Sequence, residues 1–154
     1  MEGFVIRSRL LAAAPTVWAR VTTPAGINAE LGPWLRMTTP APLRGATLDD
    51  LPLGEPLGRA WLLLFGVLPV EWDALRLESR ATWAFQEDST MLTLRRWRHG
   101  RTVEADGDGC VVTDRLAWTP RLPGVGVFAR RLAPALFRHR HRRLRATFGG
   151  EPLP

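Results

Sequence analysis

Apolar and polar residues alternate with a period of two along much of this chain, which predicts more strand than helix. The opening "FVIRSRLLA" has the β-branched and apolar content of a strand, and Pro15 then opens "PTVWARVTT" as a short helix with proline at its start. A second short helix is expected over "TPAGINAELG", where Thr23 can cap, Pro24 takes the first helical position and Gly32-Pro33 ends the element. "WLRMTT" reads as the next strand, and the proline-rich stretch from Pro40 to Gly58 reads as an irregular loop. Strand candidates then follow in succession: "RAWLLLFGVLP", "DALRLESRA", "TWAFQE", "MLTLRRWRHGRTVEA" and "CVVTDRLAWTP". The last element is a long helix stopped at Phe148-Gly149, with "PGVGVF" as the loop leading into it. No repeat or low-complexity tract interrupts this order. It reads as an α+β domain spanning residues 1–154, in which an antiparallel sheet is covered on one face by helix. A sheet that curls around one long helix can leave part of its interior empty.

The segment from Arg95 to Trp118 carries the strongest polar signal. "DGDG", Asp106 to Gly109, marks a tight turn between two alternating runs. Centring the hairpin there sets Arg101 opposite Asp114, His99 opposite Leu116 and Trp97 opposite Trp118. These residues share one face with Arg95, Val103 and Val112, whereas Arg96, Arg98, Thr102, Glu104, Thr113 and Arg115 share the other. The tryptophan-bearing face is expected to point inward, carrying Arg95, His99, Arg101 and Asp114 with it. Buried charges persist when paired or hydrogen-bonded. Arg101–Asp114 is therefore either a buried pair fixing strand register or a polar anchor for a molecule in the interior. His99 is the only histidine outside the last helix, and Asp114 within reach could orient it as a general base.

The last helix contains "LFRHRHRRLRA", in which five arginines and two histidines occupy eleven residues. At 100° per residue Arg131, Arg138, Arg142 and Arg145 form one outward stripe, while Phe128, Leu132 and Leu136 begin an apolar one. His139, Arg140 and Arg143 fall between the two and are expected nearer the sheet. His139 and His141 are two apart and diverge on a helix, so no metal site is expected. Glu87 and Asp88 are most simply solvated. Trp34, followed by Arg36 and Met37, is expected at the mouth of any interior cavity.

Composition narrows the class. All 21 basic residues are arginine, which a coding bias explains more cheaply than selection for phosphate binding. The charge is uneven: residues 1–94 are net acidic, and the formal charge of +6 arises from the last sixty or so residues. A single cysteine, Cys110, excludes an internal disulfide. The first residues are interrupted by Glu2, Arg7 and Arg9 and do not read as a signal peptide. The apolar stretch Ala60–Val70 is too short for a membrane span of about 20 residues, and a cytoplasmic location is expected.

The segment "FVIRSRLLAAAPTVWARVTTPAGI" resembles the opening strand and helix pair of the SRPBCC superfamily, the START-like or helix-grip proteins that include birch-pollen allergens and polyketide cyclases. "WRHGRTVEADGDGCVVTDRLAWTP" and "LFRHRHRRLR" are similar to the W-x-H strand, the Asp-bearing last strand and the basic final helix of ligand-binding members. The resemblance implies a helix-grip fold: a curved antiparallel sheet of about six or seven strands wrapped around a long C-terminal helix, with two short helices after the first strand. It also implies a cavity for a small hydrophobic ligand such as a lipid or polyketide-like molecule, with no cofactor. The candidate ligand-binding residues are Trp34, Arg36, Met37, Arg95, Trp97, His99, Arg101, Asp114 and Trp118 on the sheet side. On the helix they are Phe128, Leu132, Leu136, His139, Arg140 and Arg143. Two other functions fit the same residues. A cyclase- or dehydratase-like enzyme would use His99 and Asp114 for acid–base chemistry. Alternatively, the seven arginines and no acid between Gly126 and Phe148 would meet nucleic acid or an anionic partner, and a homodimer is a further expected association. No nucleic-acid module is present in the pattern, which counts against the nucleic acid.

Overall fold

A computed structural model describes residues 1–154. The chain opens with β1 (Glu2–Leu10), followed by the short helices α1 (Ala14–Val21) and α2 (Pro24–Leu31). Thr23 caps α2 by accepting from Gly26 N at 3.0 Å, and Pro24 starts it. Next come β2 (Leu35–Met37), a loop with two single 3-10 turns, and β3 (Pro56–Leu64), β4 (Leu68–Ala81), β5 (Ala84–Met91), β6 (Leu94–Asp106) and β7 (Gly109–Pro120). The helix α3 (Pro123–Phe148) and a short β8 (Gly150–Leu153) complete the chain. The eight strands form one sheet in the order β2-β3-β4-β5-β6-β7-β1-β8, with every neighbouring pair antiparallel. The α+β helix-grip architecture expected from the sequence is the one observed.

Three local expectations are corrected. "RAWLLLFGVLP" is not one strand: the chain reverses at Phe65 and Gly66, whose φ angles of 52° and 78° make the turn between β3 and β4. "PGVGVF" is not a loop but the first turns of α3, with Pro123 at the first helical positions, where its missing N–H costs nothing. The eighth strand, β8, exceeds the expected six or seven because Gly149 and Gly150, at φ 71° and 132°, turn the chain back onto β1. A Cβ at Gly150 would lie 1.9 Å from Arg9 O, so this backbone contact requires glycine.

The β6–β7 hairpin has the register set by its turn. Trp97 faces Trp118, His99 faces Leu116 and Arg101 faces Asp114, with Gly107 at φ 57° in the turn. A register shift between Leu94 and Arg96 breaks the alternation at the far end, putting Leu94 inside and Arg95 in solvent. Thr113, on the nominal outer face, is nonetheless buried.

Two apolar clusters lie between sheet and helices. One joins Leu10, Val17, Val21, Val103, Val112 and Leu144 beneath α1 and the C-terminal half of α3, and is closed. The other gathers Met91, Leu94, Trp97, Leu116, Trp118 and Phe137 under the middle of α3. Beyond it the N-terminal half of α3 runs out over uncovered space, leaving Phe128 68% and Leu132 64% exposed. No helix is long and apolar enough to cross a membrane.

Candidate functional site

The uncovered space is a cavity of about 910 Å³ between the sheet, α2 and α3, and 28 of its 44 lining residues are hydrophobic. Alternation supplies the wall: Leu35 and Met37 of β2, Leu62 and Leu64 of β3 and Met91 of β5 all point to the helix side. Leu136 and the exposed pair Phe128 and Leu132 form its roof, and Trp34, tilted against Phe65 at a ring separation of 6.2 Å, stands at its edge.

One end of the cavity is closed by a buried charge network centred on Asp114. Arg101 donates from Nε to Asp114 Oδ1 and from Nη2 to Oδ2, both at 2.7 Å. Asp114 Oδ1 also accepts from His99 Nε2 at 2.8 Å, and Oδ2 from His141 Nε2 at 2.9 Å. Arg101 Nη1 reaches Glu30 of α2 at 2.8 and 3.0 Å, and Arg140 Nη2 donates to Glu30 Oε2 at 3.0 Å. Behind His141, Ser8 Oγ lies 2.8 Å from Nδ1 and accepts from Arg145 Nη1 at 2.8 Å, so the hydroxyl proton is free to point at Nδ1. Two carboxylates thus answer two arginines, and every oxygen of both is hydrogen-bonded. Burial pushes the Asp114 carboxyl up, but the Arg101 charge, with the hydrogen bonds from Arg101, His141 and His99, outweighs it and holds the group well below the usual carboxylate range. The charges of Asp114 and Glu30 keep the fully buried Arg101 protonated against its own desolvation.

The predicted site residues divide accordingly. Trp34, Met37, Trp97, His99, Arg101, Phe128, Leu132, Leu136, His139 and Arg140 line the cavity. Arg36 does not, because strand alternation turns it to solvent between Leu35 and Met37. Arg95 is exposed by the register shift. Asp114 is sealed beneath Arg101 and His99, and Trp118 lies behind Trp97, donating Nε1 to Glu2 at 3.1 Å. Arg143 is exposed and donates Nε to Ala29 O at 2.9 Å. His139 donates to Gly32 O at 2.7 Å, so this pair satisfies carbonyls at the end of α2. The inward pair of the basic run is Arg140 with His141, the latter wholly buried, and Arg145 is drawn inward by Ser8.

His99 stands edge-on to Phe85 and Phe137 at ring distances of 5.2 and 5.0 Å. With Nε2 committed to the Asp114 carboxylate, Nδ1 faces Glu87 Oε2 at 3.9 Å. Glu87 is not solvated as its sequence suggested: it pairs in register with His99 across β5 and β6 and lines the cavity, while Asp88 points outward to a bidentate ion pair with Arg96. Glu30, Ser8 and Asp73 are polar residues that the sequence pattern does not single out, and Glu87 and His141 take places that it does not suggest. Asp73 and Glu87 could have been found by alternation, since Asp73 shares a phase with Leu75, and Glu87 with Phe85 and Met91.

A family model described as a domain of unknown function (DUF8410) matches residues 8–148. No curated protein matches in sequence. Among solved structures, the chain is similar to a START superfamily protein from Mycobacterium smegmatis, with a TM-score of 0.70 and 14% identity over 95% of this chain and 96% of that one. A protein from Chromobacterium violaceum gives a TM-score of 0.68 and 11% identity, covering 97% and 99%. Ara h 8.0201 gives 0.59 and 9%, covering 94% and 98%. At these identities the likeness is one of fold.

Proposed function

From the premise that this chain belongs to the DUF8410 family and has a START-like helix-grip fold, we propose that it binds a small hydrophobic ligand, a lipid or polyketide-like molecule, for carriage or sensing. The observation that carries this reading is the cavity of about 910 Å³ with its mainly apolar wall. That volume lies at the upper end of the range for small-molecule sites. A core of this size could have been packed shut; leaving it open forfeits contacts that Leu and Phe side chains would make. The apolar roof at Phe128 and Leu132 serves as the entry side, and Trp97 and Leu136 would flank the ligand body. His99 would present Nδ1 to the ligand, with its ring held by Asp114.

The test is a titration with the neutral apolar fluorophore N-phenyl-1-naphthylamine, together with native mass spectrometry of protein purified from its own host. Saturable one-to-one binding that is lost in Leu136→Arg, and a co-purified small molecule released by organic extraction, are expected. Absence of saturable probe binding to the folded protein would refute the reading. The His99→Ala variant separates roles: if ligand affinity and selectivity survive while only stability falls, His99 belongs to the scaffold.

A further inference from the structure

Three acids reach the cavity wall from β4 and β5, and they are in very different states. Glu71 is fully engaged: Oε1 accepts from Trp72 N at 2.9 Å and Leu92 N at 2.7 Å, and Oε2 accepts from Thr93 N at 3.3 Å and from the Thr93 hydroxyl. Glu87 is half engaged, with Oε1 accepting from Ser89 Oγ at 2.7 Å and Oε2 lying 3.9 Å from His99 Nδ1, beyond hydrogen-bond reach. Asp73 is 5% exposed, lines the cavity and has no partner for Oδ1. The one basic group within ion-pairing reach of Glu87 is His99 Nδ1, and Asp73 has none. The arginines at the cavity end are already balanced by Asp114 and Glu30.

An unsatisfied carboxyl in an apolar wall is costly unless something that binds there completes its hydrogen bonds. We propose that Asp73, with Glu87 beside it, is the acceptor site for a hydrogen-bond-donating head group, a hydroxyl or a protonated amine, on the apolar ligand. The proposal rests on the cavity reading above. Its ligand enters with the apolar body along Trp97 and Leu136 and the donor group toward β4. A carboxylate or phosphate head is disfavoured there, because Asp73 and Glu87, neither of which has an arginine within ion-pairing distance, would repel it.

The change in tryptophan emission as water leaves the cavity wall, where Trp34 and Trp97 stand, can follow titrations with 1-decanol, decylamine and decanoate. Wild type is expected to bind the alcohol or the amine at least about tenfold more tightly than decanoate, the worth of one good hydrogen bond. Asp73→Leu should lose that preference while melting no lower than wild type, since it removes an unmatched buried carboxyl. Asp73→Asn should keep alcohol binding and lose amine binding, which tells a neutral donor from a charged one. Equal or tighter binding of decanoate by wild type, or a preference that survives in Asp73→Leu, overturns the proposal. If N-phenyl-1-naphthylamine binds and none of the three decyl compounds does, the head-group assignment fails and the cavity reading stands; if the naphthylamine also fails, both fall.

Discussion

Two buried polar clusters lie within one sheet, and they differ in how their charges are answered. Around Asp114 each oxygen of its carboxylate and of Glu30 from α2 meets a donor from β6 or α3, and charge is balanced between two acids and two arginines. Around Asp73 the acids outnumber their donors, and one buried oxygen has none. The first cluster ties α2 and α3 to the hairpin, while the second waits on the cavity wall. The lesson is that polarity inside a cavity does not by itself mark a ligand anchor. Arg101 looks like the obvious anchor and is saturated, whereas Asp73 is inconspicuous in sequence and unmatched in structure.

The largest expected effect comes from breaking the saturated cluster. Arg101→Met leaves Asp114 and Glu30 buried without their shared cation, and should destabilise the fold by about 3–5 kcal/mol in urea unfolding. If the loss is under about 1 kcal/mol, the cluster is not what holds the helices to the hairpin. Acid sharpens the same contrast. Asp114 titrates below its unfolded value, so its stabilisation is complete above about pH 4 and is lost as pH falls through the lower folded value. Asp73 behaves oppositely: burial and the Glu87 charge raise it well above the usual range, so its contribution is complete below about pH 4 and is lost as pH rises toward the raised value. Asp73→Asn should therefore flatten a decline in stability above pH 4, and Asp114→Asn should flatten the loss below it. Stability measured against pH in the two variants checks both signs.

Smaller effects come from the margins. Ser8→Ala removes the hydroxyl that links Arg145 to His141 and should cost about 1 kcal/mol. Glu78→Gln breaks the ion pair with Arg98 at 2.5 Å on the outer face, where both partners are partly exposed, and should change stability by no more than about 0.5–1 kcal/mol. Chemical denaturation of both variants ranks them; a Glu78 effect larger than that of Ser8 would contradict the distinction between buried network and surface pair.

How much of this was legible in the sequence follows from the range over which each interaction acts. The hairpin register was, because "DGDG" fixes the turn and period-two alternation fixes the faces. The caps and the stop of the long helix were legible for the same local reason. The bulge after Leu94 was not, and with it Arg95 went to the wrong side. Glu30 was missed because its partners, Arg101 and Arg140, lie 71 and 110 residues away, and no periodicity within α2 announces them. His141 invites attention in the sequence only beside His139, although its spacing from Phe137 and Leu144 places it on the buried side of α3. The cavity followed from family resemblance, but the imbalance of charge across it required the fold.

The most direct test of the account is a crystal structure of the protein grown with 1-decanol. The alkyl chain is expected within the cavity against Trp97 and Leu136, with the hydroxyl within hydrogen-bond distance of Asp73. A cavity collapsed or occupied by its own side chains, with the alcohol elsewhere or absent, would contradict it.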